Sequence, residues 1–481
     1  MRLGARITGL ALVISALAGG IFFVSTRRAD VITPTLASDS FPSAEPAAPA
    51  VTPPSRRPNI LLFTIDTLRA DHLHSYGYPR DTSPAMDALA AEGTRFARAY
   101  STASWTLPSV ASLISGVLPS QHGVIHNRPQ GDGTAAQDFL GADLPSLPAL
   151  LHAAGYRTVG VTSNGHLRAE AGFGRGFDDY ACTTMEDVDA MRPDVWSRLS
   201  ALRESDRPYF LWVHVTDPHA PYEPRDPQFA GWWGASRPHH DVLERSLFLR
   251  GIQRAAFANH IAIPDALEYV TTAYDSEIRA VDQFFADVLA ELDDDNLAVV
   301  ITADHGEELN DHGGMGHGST LFEETVRVPL IIRLPGQAAS TVGVPVQIID
   351  VLPTLAELSG GDPTGAAGRS LVAAIHGEPL AAHDLFLESG RSVSVAGVVT
   401  ERYKYGEITN GPPVQRLYDL TVDPEERVDI ASQQPELAAD LQRRLHVALD
   451  AARERREGAA TQQVFLPSNV VEQLRALGYG N

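Results

Sequence analysis

Four short apolar runs in this 481-residue chain lead directly into side chains that ionise or bind cations. NILLFTI (59–65) is followed by Asp66, and RTVGVTS (157–163) by Asn164 and His166. YFLWVHV (209–215) contains His214 and runs into Asp217 and His219, while LAVVITA (297–303) ends at Asp304 and His305. Carboxylates and imidazoles gathered at one place call for a cation among them, so the pattern points to a metal site. A fifth segment, STASWTLPSVASLISG (101–116), is a Ser/Thr-rich turn that enters an apolar helix. Its Thr106 falls at the helix start, where backbone amides and the dipole favour negative charge. A hydroxyl there can cap the helix. Beside a metal it can also act as an activated nucleophile, and one role does not exclude the other.

These residues need a scaffold that delivers strand ends to one edge. The apolar runs, together with PLIIRL (329–334), have the character of buried strands, and they alternate with helical stretches at 83–92, 145–154 and 266–290. The alternation predicts an α/β fold, a doubly wound and mostly parallel sheet. Ligands of such sheets bind beyond the carboxyl ends of the strands. After about residue 361 the pattern changes: VSVAGVVT (393–400) and RYKYGE (402–407) read as antiparallel strands and 435–457 as a helix. Residues 58–360 therefore read as the catalytic domain and 361–481 as a small C-terminal α+β subdomain. The aromatic, aperiodic GWWGASRPHH (231–240) reads as an inserted loop near the site.

The net charge of -22 argues against nucleic acid or anionic lipid as the main partner, so an anionic ligand must be held by local charge. A single cysteine, Cys182, excludes an internal disulfide and a cysteine-built zinc site. Arg2 and Arg6 precede an apolar run from Ile7 to Ser25, which is about long enough to cross a bilayer. Residues 1–30 thus read as a signal anchor, or as a cleaved signal peptide. Residues 31–57, rich in Pro, Ala, Ser and Thr, read as an extended tether. Together they predict a membrane-anchored, extracytoplasmic protein, periplasmic or at the cell surface, that is secreted if the segment is cleaved.

The chain resembles the sulfatase family of the alkaline phosphatase superfamily. The resemblance rests on NILLFTIDTLRADHLHSYGY, SWTLPSVASLISGVLPSQHGV, AGYRTVGVTSNGHL with GFGRGFDDY, DPHAPY, ITADHGEELNDHGGMGHGSTLFEETVRVPLII and LYDLTVDPEERVDIA. It implies that Asp66, Asp304 and His305 bind one divalent cation together with a nucleophile at Thr106. His166 and His219 then match histidines that contact the ester or protonate its leaving oxygen, and His317, just before the segment resembling the family's GK-x-T-x-YE stretch, is expected near the same place as a further catalytic residue; Asn164 and the strand-end His214 are expected as substrate contacts. Calcium or magnesium is the family's common ion, whereas the imidazole of His305 shifts preference toward manganese or zinc.

The departures bear on the chemistry. Where formylglycine sulfatases carry C/S-x-P-S-R, this chain reads Thr106-Leu107-Pro108-Ser109-Val110, so no formylglycine is expected. Asn164 replaces a lysine and Thr67 a second metal-binding aspartate. The expected function is metal-dependent hydrolysis of a sulfate or phosphate ester on a small molecule, glycan or lipid. A phosphodiesterase or phosphoryl-group transferase with a threonine nucleophile is the alternative, and a glycan-binding protein that has lost turnover is a third.

Overall fold

All five apolar runs form strands of one eight-stranded sheet. The computed structural model describes residues 57–476 apart from 131–133, 184–186, 223–224, 230, 233–262, 392, 412–413 and 457–461. The N-terminal apolar run, the tether up to residue 56 and most of the 231–240 loop lie outside the described residues. Among the described residues no helix is long and apolar enough to cross a membrane. Residues 54–481 form one compact unit.

Across the sheet the strands run Ser340–Val342, Thr94–Phe96, Leu330–Arg333, Leu297–Ala303, Asn59–Ile65, Tyr209–Val215, Arg157–Thr162 and Asp179–Cys182. The last five are mutually parallel, while Leu330–Arg333 pairs antiparallel with both of its neighbours. That direction explains why PLIIRL, alone among the five runs, ends in no ionisable cluster: its carboxyl end faces the other edge of the sheet. The three central strands are buried along their whole length, as sheets covered by helices on both faces require. The long helix Ile263–Leu292 supplies much of that cover: Phe284 and Phe285 from it pack against Phe63 of the central strand.

Register then places the chemistry. Ile65 lies opposite Val215 on one side and Ala303 on the other, so Asp66 and Asp304 leave adjacent strands at the same level. His214 pairs with Thr64 and with Thr162, which brings its imidazole in beside them from the next strand.

The antiparallel strands expected after residue 361 form a sheet ordered Leu385–Ser389, Val395–Val399, Tyr403–Ile408 and Gln415–Asp419. The helix Pro435–Arg456 covers it, with Leu441, Leu445 and Leu449 packed on Val398, Tyr405 and Leu417. Its signature segment braces the catalytic part: Glu426 accepts from the amide of Glu323, and the buried Lys404 ammonium bridges Glu323 and Glu426. The chain then leaves this subdomain. Gln463–Leu466 pairs with Ala135–Asp138, and Val470 and Leu474 of the final helix face Gly165, beside Asn164 and His166.

Candidate active site

Thr106 is the first residue of the helix Thr106–Ser115, and the N-cap position belongs to Trp105, whose side chain makes no capping bond. Thr106 thus stands one residue inside the helix rather than at its cap position. Its Oγ1 lies 3.3 Å from His305 Nε2 and 3.4 Å from Asp66 Oδ2. A hydrogen bond from Ser109 Oγ to the carbonyl of Asp304 ties the next helical turn to the neighbouring strand end. The helix start and the two central strand ends are thus fixed to one another through side chains that are fully buried.

Asp66, Asp304 and His214 each present a ligand atom within 4.8 Å of the others. His305 Nε2 joins them, 3.3 Å from Asp66 Oδ1 and 3.7 Å from Asp304 Oδ2. Asp66 Oδ1, Asp304 Oδ2 and both ring nitrogens of His214 are buried without a hydrogen-bond partner. Buried polar atoms of this kind are rare unless an ion, water or ligand completes them, so the residues fit a divalent cation. The electrostatics agree. Burial opposes charge on His305, yet Asp304 and Asp66 raise it to about 9, so the carboxylates create a field that favours positive charge there. Burial likewise pushes Asp66 up, but the His305 hydrogen bond and the nearby histidines outweigh it and hold the carboxyl below its ordinary range.

His214, expected as a substrate contact, sits among the candidate metal-ligand carboxylates, 3.7 Å from Asp304 Oδ2. Asn164, expected in the same role, donates from Nδ2 to Asp66 Oδ2 at 2.9 Å and accepts from the His166 amide at 3.0 Å. Its amide orients Asp66 here. Thr67 follows with a left-handed φ of 57°, costly for a β-branched residue. The turn directs its amide at Asp304 Oδ1, 3.3 Å away, and leaves its hydroxyl buried without a partner beside Asp66.

Three further histidines close the site. His166 donates from Nδ1 to Gln137 Oε1 at 2.8 Å, and His219 donates from Nδ1 to the Ala220 carbonyl at 2.6 Å. His317 Nδ1 faces Glu307 Oε1 at 2.9 Å, and Glu307 Oε2 accepts from the Tyr222 hydroxyl at 3.3 Å. The rings of His219 and His317 lie 4.9 Å apart, and those of His305 and His317 4.5 Å. Burial lowers all three, His166 to about 3 with the Arg391 charge adding to the effect, so each is neutral near pH 7. Burial raises Glu307 to about 7 against the histidine charges. His122, His126 and His312 hold loops through Ser112, Asp138 and Glu324 respectively.

Asp217 is the strand-end carboxylate that does not join this cluster. It accepts from the Val188 amide at 3.0 Å, at the start of the helix Val188–Arg203, and from Arg225 at 3.4 Å. Burial raises it from 3.8 to about 6, although Arg225 and the amide oppose the shift. The protonated form's contribution to stability is thus complete below about pH 4 and is lost as pH rises through about 6. In Asp217→Asn the slope of stability against pH over this window is expected to fall by roughly 1–3 kcal/mol in total, read from urea midpoints. An unchanged slope would mean that Asp217 is ionised throughout.

Sequence reasoning missed Glu307, Gln137, Tyr222, Trp105 and Arg391. Glu307 was within reach, since it lies two residues beyond His305 in DHGE. The others carry no local signal: Gln137 sits in a short polar strand, and Arg391 comes from the subdomain more than two hundred residues after the helix it approaches.

A parallel sheet whose strand ends gather two carboxylates, several imidazoles and one hydroxyl is an arrangement suited to attack on anionic esters. The family model described as Sulfatase matches residues 58–361, and that of the N-sulphoglucosamine sulphohydrolase C-terminal region matches 314–455. The chain belongs to the sulfatase family, whose members are sulfuric ester hydrolases. Among its relatives are an uncharacterized sulfatase, YidJ, of Escherichia coli, 25% identical over 82% of this chain and 86% of that protein. The N-acetylglucosamine-6-O-sulfatase of Bacteroides thetaiotaomicron is 24% identical over 78% of this chain and 83% of its own length. The fold also matches the phosphonate monoester hydrolase of Agrobacterium radiobacter, with a TM-score of 0.65 at 20% identity over 82% of this chain and 96% of that one.

Proposed function

We propose that this protein cleaves sulfate or phosphate esters with Thr106 as nucleophile, at a divalent metal site formed by Asp66, Asp304, His305 and His214. The observation that carries this reading is the Thr106 hydroxyl, buried and facing His305 and Asp66 at 3.3 and 3.4 Å. A bound divalent ion would supply charge to the nonbridging oxygens and lower the hydroxyl pKa. Thr106 Oγ1 would give up its proton to the Asp66 carboxylate that it faces and form the new bond to sulfur or phosphorus as the bond to the leaving alcohol breaks. The leaving oxygen needs a proton. His166 and His219 donate from Nδ1 to a carbonyl oxygen, which leaves Nε2 as an acceptor in the neutral ring. The Nδ1 of His317 faces a carboxyl group instead, so the shared proton can lie on Glu307 while Nε2 carries the proton for the leaving alcohol. Water then attacks the sulfo- or phospho-threonine, restoring the hydroxyl and releasing the inorganic anion.

The names of the relatives support sulfated sugars as the substrate class. A second reading, phosphodiester or phosphonate chemistry, is favoured by Thr106 itself. A formylglycine hydrate expels sulfate by collapse to the aldehyde, whereas a threonine ester has to be hydrolysed directly. Parallel assays of the full chain on aryl sulfate, phosphate monoester, phosphodiester and phosphonate monoester separate the two. We expect turnover on at least one of these with added divalent metal. Bound metal without turnover on any of them would favour a binding protein.

A further inference from the structure

Buried carboxyl groups gather around Thr106: Asp66, Asp304 and Glu307 all lie in the site, and an ester anion has to bind among them. Arg69 approaches from behind, donating to the Glu307 carbonyl at 3.2 Å, but its guanidinium is clamped by Asp71 and Asp311 at 2.8–3.0 Å. Its charge is therefore compensated.

Arg391 comes from the C-terminal subdomain. It follows the strand Leu385–Ser389, whose end is fastened to the turn that precedes Thr106: the Glu388 amide donates to the Thr102 carbonyl at 2.8 Å, and Ser104 Oγ donates to Ser389 Oγ at 2.9 Å. From there the side chain runs along the backbone of Gly318. A Cβ at that glycine, which has a φ of +87°, would meet Arg391 Cδ at 3.0 Å and Trp105 Cβ at 3.5 Å. A guanidinium nitrogen lies 3.5 Å from His317 Nε2, beyond the usual hydrogen-bond range and so a neighbouring charge rather than a donor to that ring nitrogen. Its charge acts on His166 as well as on His317. On the same wall the indole Nε1 of Trp105 is buried without an acceptor. A guanidinium and an indole donor beside a buried hydroxyl make a wall suited to a tetrahedral oxyanion.

We propose that Arg391 is a substrate-binding residue that holds a nonbridging oxygen of the sulfuryl or phosphoryl group during attack by Thr106. The assignment rests on the ester chemistry proposed above and names the group that receives the anion. It means that the C-terminal subdomain contributes directly to the active site.

The test uses the full chain loaded with metal, in wild-type, Arg391→Ala and Arg391→Lys forms, with Arg203→Ala as an exposed-charge control. Titration calorimetry with inorganic sulfate and with inorganic phosphate reads oxyanion binding, and the two arms show which anion the wall prefers. Steady-state kinetics on whichever ester is turned over reads KM and kcat. Arg391→Ala is expected to weaken oxyanion binding and raise KM by roughly tenfold or more, with metal content unchanged. Arg391→Lys should recover part of the loss, since it keeps the charge without the planar fork. If Arg391→Ala does not fold, as judged by circular dichroism, the Lys variant and Arg391→Gln carry the comparison. Wild-type affinity in the Ala or Gln variant overturns the proposal, as does a wild-type protein that binds neither anion. Loss of oxyanion binding in a protein that turns over no ester would uphold Arg391 while ending the hydrolytic reading; turnover unaffected by Arg391→Ala would do the reverse.

Discussion

Replacing Thr106 by alanine is expected to reduce turnover by about a thousandfold or more, the scale seen when the nucleophile is removed from a group that acts as a unit. A helix-capping threonine replaced by alanine costs about 0.5–2 kcal/mol of stability. Here Trp105 occupies the cap position and the hydroxyl faces Asp66 and His305. The alanine protein should therefore unfold within about 1 kcal/mol of wild type, with its activity gone. Thr106→Ser keeps the hydroxyl but loses the rotamer restriction of a β-branched side chain, so it should retain measurable activity with a lower kcat. Rapid acid quenching followed by peptide mass analysis should find the sulfo or phospho group on the peptide containing Thr106 in wild type and not in the alanine variant. An alanine variant with full activity would remove Thr106 from the mechanism.

The parts of this site that could be read in advance are those set by the sheet. Asp66, His214, Asp304 and His305 follow apolar runs, and once the runs pair in parallel their ends have nowhere else to go. Period and burial cannot show where a side chain turns after the strand has ended. Asp217 and Asp66 look alike in sequence, yet one accepts from a helix amide and the other faces the nucleophile. Asn164 sits where a substrate contact is expected, and its amide hydrogen-bonds Asp66. The residues contributed across long separations were not legible at all. Gln137 holds His166 from a hairpin that pairs with residues 463–466, and Arg391 arrives from a sheet with its own core. Such contacts depend on how separate layers pack, which no local pattern encodes.

Removing divalent metal is expected to abolish activity and to lower the melting temperature, and the two effects should share their dependence on Asp66 and Asp304. A ligand that binds only the folded state at about a hundred times its Kd adds about 2.7 kcal/mol, so chelation should cost a shift of several degrees. Asp304→Asn separates ligation from packing. It keeps the size of the side chain and an oxygen to accept from the Thr67 and His305 amides, while removing one of two buried carboxylates. Without metal, the variant should be as stable as wild type or more so, because the carboxylates no longer repel across the gap that His305 bridges. With metal, wild type should gain stability and the variant little, so the order of melting temperatures reverses. That reversal is something a merely structural aspartate would not produce. Two carboxylates with two imidazoles also favour manganese or zinc over calcium, so reconstitution should reach half-maximal activity at a lower concentration of manganese or zinc. If elemental analysis finds no ion, and neither chelation nor Asp304→Asn alters activity or melting, Asp66, His214, Asp304 and His305 are a buried hydrogen-bonding cluster and the metal mechanism fails with them.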